Sequence, residues 1–247
     1  SGTGTIASKN VGSNKTVSVG TLALADGSNG GLAANYTLSG GTHQLTINQR
    51  PLNATLARQY DGTTNAAGSD LSSFDALQGG ETLTLNGSGT AANDNVANGI
   101  SVSSLGSLAL VNGTGLASNY SLNSAAINIT QRVLTSSGSK TYDANTNALA
   151  ADITLSNLVS GEALNHSGTA SISSANAGSY TITNLAGITI ADGSGGAASN
   201  YTLTGGTHNF TVNPKVISLS GSRLYDATTD AVASDLTTIS GLVGSET

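Results

Sequence analysis

A three-residue motif that returns at a fixed interval constrains this chain more than any other feature. Tyr60-Asp61-Gly62, Tyr142-Asp143-Ala144 and Tyr225-Asp226-Ala227 recur at spacings of 82 and 83 residues. Asn35-Tyr36-Thr37-Leu38, Asn119-Tyr120-Ser121-Leu122 and Asn200-Tyr201-Thr202-Leu203 recur at 84 and 81. Ser1-Gly2-Thr3, Ser88-Gly89-Thr90 and Ser167-Gly168-Thr169 keep the same phase, as do Glu81, Glu162 and Glu246. Four markers in one phase mean that one unit of about 82 residues is copied along the chain. With Pro51 as the boundary, residues 52–132 and 133–215 are whole copies, 1–51 is the C-terminal portion of a copy, and 216–247 is an N-terminal portion. That phasing predicts a piece of a longer stalk rather than a self-contained protein.

Within a copy the apolar residues alternate, which predicts half-buried strands and an all-β fold. Leu52, Ala54 and Leu56 lead into the first Tyr-Asp turn. Val17, Val19, Leu22 and Leu24 align with Ile100, Val102, Leu108 and Leu110, then with Tyr180, Ile182, Ile188 and Ile190. Tyr36 and Leu38, followed by Leu45 and Ile47, read as a hairpin across Ser39-Gly40-Gly41-Thr42. The segment from Ala66 to Leu77 allows a short helix. Large apolar side chains are few, so many core positions fall to Ala or Thr, and a unit this size with so thin a core is marginal alone. The connections Asn48-Gln49-Arg50-Pro51, Thr130-Gln131-Arg132 and Asn213-Pro214-Lys215 are too short for free swivelling. The expected architecture is a row of small β-sandwich or β-grasp-like domains, end to end as a rod.

The arrangement Arg58-Gln59-Tyr60-Asp61-Gly62-Thr63-Thr64-Asn65-Ala66, with a Gly-Glu turn, Ser-Gly-Thr-Gly, Lys9-Asn10-Val11-Gly12 and an Asn-Tyr-Thr-Leu strand, resembles the YDG repeat domain. Such domains occur in long bacterial adhesins related to filamentous haemagglutinins. The resemblance implies an extracellular protein, secreted or held at the bacterial cell surface, that works as stalk or spacer in adhesion or in a biofilm matrix. Its partners would be neighbouring repeats or copies of itself, a matrix polysaccharide, or a host or bacterial surface. Two departures stand out. The motif is Tyr-Asp-Ala in two copies, which weakens any claim that its third position needs a positive φ. The Lys-Asn-Val-Gly element is degenerate at Asp94-Asn95-Val96-Ala97 and Ala175-Asn176-Ala177-Gly178.

Charge and composition narrow the function further. A net charge of −6 and a pI near 4.7 provide no basic field for nucleic acid or an anionic membrane. No apolar run is long enough to insert in a bilayer, and the first residues carry no export signal, so this segment reads as a mature, soluble one. Cysteine is absent, which excludes a disulfide scaffold and thiol chemistry. No Gly-x-Ser-x-Gly elbow and no dinucleotide fingerprint occur, and an active site copied along a rod would be unusual, so no enzyme and no catalytic residue is expected.

Tyr60, Asp61, Tyr142, Asp143, Tyr225, Asp226, Asn35, Tyr36, Asn119, Tyr120, Asn200 and Tyr201 are therefore read as a structural repeat motif. The aspartates are expected to cap turns by accepting backbone N–H groups, and the tyrosines to pack between sheet and loop. The alternative is glycan or Ca²⁺ binding by the recurrent carboxylates, Asp70, Asp152, Asp235 and the three glutamates included. A hard cation wants six or more oxygens, which one carboxylate cannot supply. A further alternative is a filament subunit whose incomplete ends complete one another by adding strands. His43 and His208 share a strand position, filled by Ala125 in the middle copy, and are expected to face solvent. His166 stands alone. Transition metals are not expected without clustered His or Cys. Phe210 aligns with Leu45 and Ile127 and is expected in the core. Lys140 stands where Arg58 and Arg223 stand in the other copies, which excludes a lysine cross-link in every repeat.

Overall fold

The computed structural model describes all residues from Ser1 to Thr247, and every regular element in it is a strand or a single 3₁₀ turn. The chain divides into two compact units. The first comprises Ser1–Arg58 and Thr63–Ile129, the second Gln59–Gly62 and Thr130–Thr247.

The second unit shows a whole repeat most completely. At the centre of its sheet the first strand, Thr135–Thr141, lies parallel to the last, His208–Asn213, with Ser136 opposite His208 and Thr141 opposite Asn213. On its other side Thr135–Thr141 pairs antiparallel with Ile153–Ser156. His208–Asn213 pairs antiparallel with Gly178–Asn184, which in turn meets the long strand Leu164–Ile172. The short Asn147–Leu149 closes that edge. A bend at Gly168 divides Leu164–Ile172 between two partners, because Ile188–Asp192 pairs with its first half only. Gly168 has φ +104, and a Cβ there would lie 1.9 Å from Gly187 O, so only glycine permits the bend. At the equivalent place in the first unit, Gly87 separates Leu83–Asn86 from Ser88–Ala91.

The first unit repeats this plan. Its six-stranded sheet runs in the order Asn65–Ala67, Ser88–Ala91, Ala97–Ser104, Tyr120–Thr130, Arg50–Gln59, Leu71–Phe74. Ala109–Asn112 pairs separately with Leu83–Asn86. A small three-stranded sheet of Thr5–Ile6, Gly12–Ser18 and Gln44–Ile47 precedes it.

The cores are as thin as the composition implies. Around Phe210 gather Val212, Ile153, Ile172, Ile182 and Ile188, with Ala148, Ala150 and Ala170 filling the gaps. Leu52, Leu56, Ile127 and Ile129 are buried in the first unit. The expected hairpin needs correction. Gln44–Ile47 does not form a hairpin with Tyr36 and Leu38; it pairs with Gly12–Ser18. In the second unit Tyr201–Thr202 instead runs parallel to Arg132–Val133, and His208–Asn213 goes to the sheet centre. The Gly-rich link is a crossover between two partners, which hairpin-like spacing cannot reveal. Residues 66–77 hold no helix: strand Asn65–Ala67 turns through the 3₁₀ segment Gly68–Asp70 into Leu71–Phe74. In two of the three copies the aligned apolar run is two strands: Ala97–Ser104 and Ala109–Asn112 have different partners, and Gly178–Asn184 and Ile188–Asp192 meet different halves of Leu164–Ile172.

The histidines also face inward. His208 is 4% exposed, its Nε2 donating to Leu203 O at 2.8 Å and its Nδ1 lying 2.9 Å from Ser136 Oγ. A carbonyl can only accept, so the proton is on Nε2 and Nδ1 accepts from the serine. His43 makes the same bond to Leu38 O at 2.8 Å, and His166 reaches the carbonyls of Ala150 and Ile153. In each case a ring N–H donates to a backbone carbonyl.

The third position of the Tyr-Asp motif is left-handed in every copy: φ is +71 at Gly62, +62 at Ala144 and +63 at Ala227. Two alanines thus hold a conformation that an L side chain resists. They are kept there by a cation at the base of the turn. Lys140 Nζ donates to the carbonyls of Asn145 and Asn147, and Arg223 to those of Thr228 and Asp230, while Arg58 donates to Thr63 O. Ala144→Gly should relieve the strain and stabilise the repeat by about 0.5–1 kcal/mol after glycine's entropic cost. Slower amide exchange along Thr135–Thr141 checks this.

Candidate inter-repeat joint

The recurrent glutamates are presented by tight turns. The N–H of Glu81 donates to Gln78 O, that of Glu162 to Val159 O, and that of Glu246 to Val243 O, at 2.9, 3.0 and 3.2 Å. A second local device delivers the Asn-Tyr tyrosine. Asp26, Asn112 and Asp192 each accept, at 2.7 Å, from the N–H that opens a 3₁₀ turn, at Ala33, Ala117 and Ala198. The turns Ala33–Asn35, Ala117–Asn119 and Ala198–Asn200 then place Tyr36, Tyr120 and Tyr201 at the next residue.

In the whole repeats this tyrosine clamps the glutamate turn. Tyr201 Oη donates to Glu162 Oε2 at 2.6 Å and accepts from the Val159 N–H at 3.1 Å. Tyr120 does the same with Glu81 Oε2 at 2.7 Å and the Gln78 N–H at 3.3 Å. Both tyrosines stand 39 residues after their glutamate, and both are buried. Tyr36 is 69% exposed.

The other carboxylate oxygen takes the tyrosine of the preceding Tyr-Asp motif. Within the second unit, Tyr60 Oη donates to Glu162 Oε1 at 2.6 Å. Its ring meets that of Tyr201 edge to face, with centroids 5.4 Å apart and planes at 80°. Such a pair adds to simple burial because the positive edge of one ring meets the negative face of the other. Glu162 thus receives one phenol from each of two successive repeats, the arrangement that an ionised, acceptor-only carboxylate satisfies. Gly62 packs against Val159 so closely that a Cβ would lie 2.8 Å from Val159 Cγ1. The contact recurs one period on, where Tyr142 Oη donates to Glu246 Oε1.

The dipeptide before each whole repeat completes the joint. Gln131 Nε2 donates to the carbonyls of Ser199 and Tyr201 at 3.1 and 2.9 Å, as Gln49 does to Ser118 at 3.2 Å. Arg132 Nε donates to Asn157 O at 2.6 Å and Nη1 reaches Tyr60 O at 3.4 Å; Arg50 Nε repeats the former bond to Ala76 O at 2.7 Å. In the first unit Asn119 Oδ1 accepts from the Val11 N–H at 2.9 Å and its amide donates to Asn10 Oδ1, which gives the Lys9-Asn10-Val11 element a role. The sequence reading passed over Gln49, Arg50, Gln131 and Arg132 as mere connection. Their identical spacing in two copies was the available signal.

Of the motif residues, the structure thus brings Tyr60 and Tyr201 together on Glu162. Asn200 beneath them is buried, and Asn119 and Tyr120 hold the equivalent place. Asp143 Oδ1 accepts from the Asn145 N–H at 3.2 Å and pairs with Lys140 at 2.8 Å; Asp226 Oδ1 accepts from the Thr228 N–H at 3.0 Å. These are the turn caps expected of them. Asp61 lies exposed at its turn, and Asn35 and Tyr36 lie on an exposed surface. Tyr225 is 94% exposed.

A YDG domain model matches residues 42–128 and 125–208, together more than half of the chain. The chain belongs to the YDG domain family. No curated protein and no solved structure matches it. The tyrosine and aspartate of the YDG motif are thereby tied to distinct jobs, the aspartate to its own turn and the tyrosine to the next repeat.

Two outcomes follow from the joint. Tyr60→Phe removes a hydrogen bond to a charged group and should destabilise the second unit by about 1.5–3 kcal/mol. Combined with Glu162→Gln in a double-mutant cycle of thermal unfolding, the two losses should be clearly less than additive. Burial, and then the Glu162 carboxylate, push the Tyr60 phenol up to about 12. The folded chain therefore holds this proton where the unfolded chain, titrating near 10, has lost it. Stability from this group is intact below pH 10 and falls as pH rises towards 12. An alkaline series of unfolding curves should lose that slope in Tyr60→Phe.

Proposed function

We propose that this chain is a stalk or spacer segment of a secreted or surface-attached bacterial adhesin or biofilm-matrix fibre, with its repeats set end to end and no reaction to catalyse. One observation carries the reading: the Tyr-Asp tyrosine of one repeat is bonded to the glutamate of the next, Tyr60 to Glu162 and Tyr142 to Glu246. A phenol, a carboxylate and an edge-to-face ring pair resist swivelling at a linker that is itself only a few residues long. Repeats of marginal stability gain most from such neighbour contacts, as in other quasi-one-dimensional arrays. The family match adds the domain type. Localisation outside the cell fits a chain rich in Gly, Ser, Thr and Asn and net acidic, which keeps long fibres soluble.

Small-angle scattering tests the reading. An elongated particle, with a cross-section of one repeat and a maximum dimension that grows by one repeat length per added copy, is expected. A compact particle of the same mass would overturn it.

A further inference from the structure

Each whole repeat places its first and last strands side by side, and in the second unit the two run parallel. Six consecutive residue pairs, from Ser136 opposite His208 to Thr141 opposite Asn213, join them. Backbone bonds close both ends of this ladder: the Ser136 N–H donates to Thr207 O at 3.1 Å, and the Tyr142 N–H to Asn213 O at 2.8 Å. In the other whole repeat Arg50–Gln59 and Tyr120–Thr130 are again neighbours, and the Tyr60 N–H donates to Thr130 O at 2.9 Å, as Tyr142 does to Asn213.

Because the strands are parallel, the chain enters this pair at Thr135, at one end, and leaves it at Asn213, at the other. Tension between entry and exit therefore slides the two strands past each other along their length. It crosses directly from one strand to the other, and Leu164–Ile172, Gly178–Asn184 and Ile188–Asp192 lie outside the path. The bonds of a parallel pair are evenly spaced, so they share the load and must fail together. Antiparallel first and last strands would have entry and exit at the same end, and their bonds would open one at a time. A side-chain bond reinforces the ladder at its first pair: Ser136 and His208 stand opposite each other, both buried, with Ser136 Oγ 2.9 Å from His208 Nδ1. A thin core does not conflict with strength of this kind, since forced unfolding is governed by the unfolding barrier and not by equilibrium stability.

We propose that the pair Thr135–Thr141 and His208–Asn213 is a shear clamp, which makes the repeat a load-bearing unit and not only a spacer. The stalk role proposed above supplies the tension; the clamp is what withstands it.

The chain has no cysteine, so introduced pairs set the direction of pulling in a single-molecule force experiment on the full chain. Thr130→Cys with Lys215→Cys loads the ladder in shear, whereas Thr130→Cys with Thr207→Cys pulls the two strands apart from one end. All three positions are exposed. Shear should need a severalfold higher unfolding force than the end-on pull, although the two double variants melt at the same temperature. Ser136→Ala should lower the shear force, and Asn165→Ala, which removes a bond to Asp192 O outside the path, should leave it unchanged. Equal forces in the two directions overturn the proposal, as does a shear force that Ser136→Ala does not lower. A stalk can be long and weak: an elongated particle in scattering whose repeats open at equal force in both directions keeps the stalk reading and removes the clamp.

Discussion

Everything distinctive in this structure depends on one carboxylate with two phenols on it. Glu162 is held out on a turn, and its two oxygens are taken by Tyr201 from within its own repeat and by Tyr60 from the repeat before. The first bond organises a repeat, because the Tyr201 hydroxyl also accepts from the Val159 backbone and so closes both ends of the turn. The second couples repeats. Without the first, the glutamate would not be aimed; without the second, the Tyr-Asp turn would present a large aromatic ring to water, as Tyr225 does.

The thin core explains why so much is invested at the joint. A cluster whose members include Ala148, Ala150 and Ala170 buries little apolar area per residue. Polar devices compensate within the repeat. Histidine rings donate to backbone carbonyls, aspartate and asparagine side chains close the loops before the 3₁₀ turns, and a lysine or arginine ties each Tyr-Asp turn from beneath. The last of these lets two alanines adopt the left-handed conformation. Since Lys140 spends its ammonium on Asn145, Asn147 and Asp143, the same position can be arginine elsewhere in the chain without loss of purpose.

How much of this was legible beforehand varied by the range of the interaction. The repeat and its strands could be read because alternation of apolar and polar side chains is local and each copy restated it. Asp143 and Asp226 as turn caps were legible for the same reason, since each bonds a backbone group two residues away. Phe210 was placed in the core by alignment with Ile127, and both are buried. His208 was misplaced: a polar residue at an alternating position reads as outward, and nothing local announces that Ser136 will stand 2.9 Å away. The hairpin failed because a Gly-rich link after a strand has the same appearance whether the chain folds back or crosses the sheet.

By itself, then, the sequence determined the period, the strand-rich class, the Tyr-Asp turns and the recurrent Tyr, Asp, Asn and Glu residues, because all of these follow from neighbours along the chain. Only the tertiary structure decided what the residues are for. That Thr135–Thr141 lies parallel to His208–Asn213, and that Tyr60 meets a glutamate 102 residues away, are choices among partners far apart in sequence. A backbone N–H or a phenol O–H can pair equally well with many acceptors. The one it finds is set by the packing of the whole repeat and of the repeat beside it.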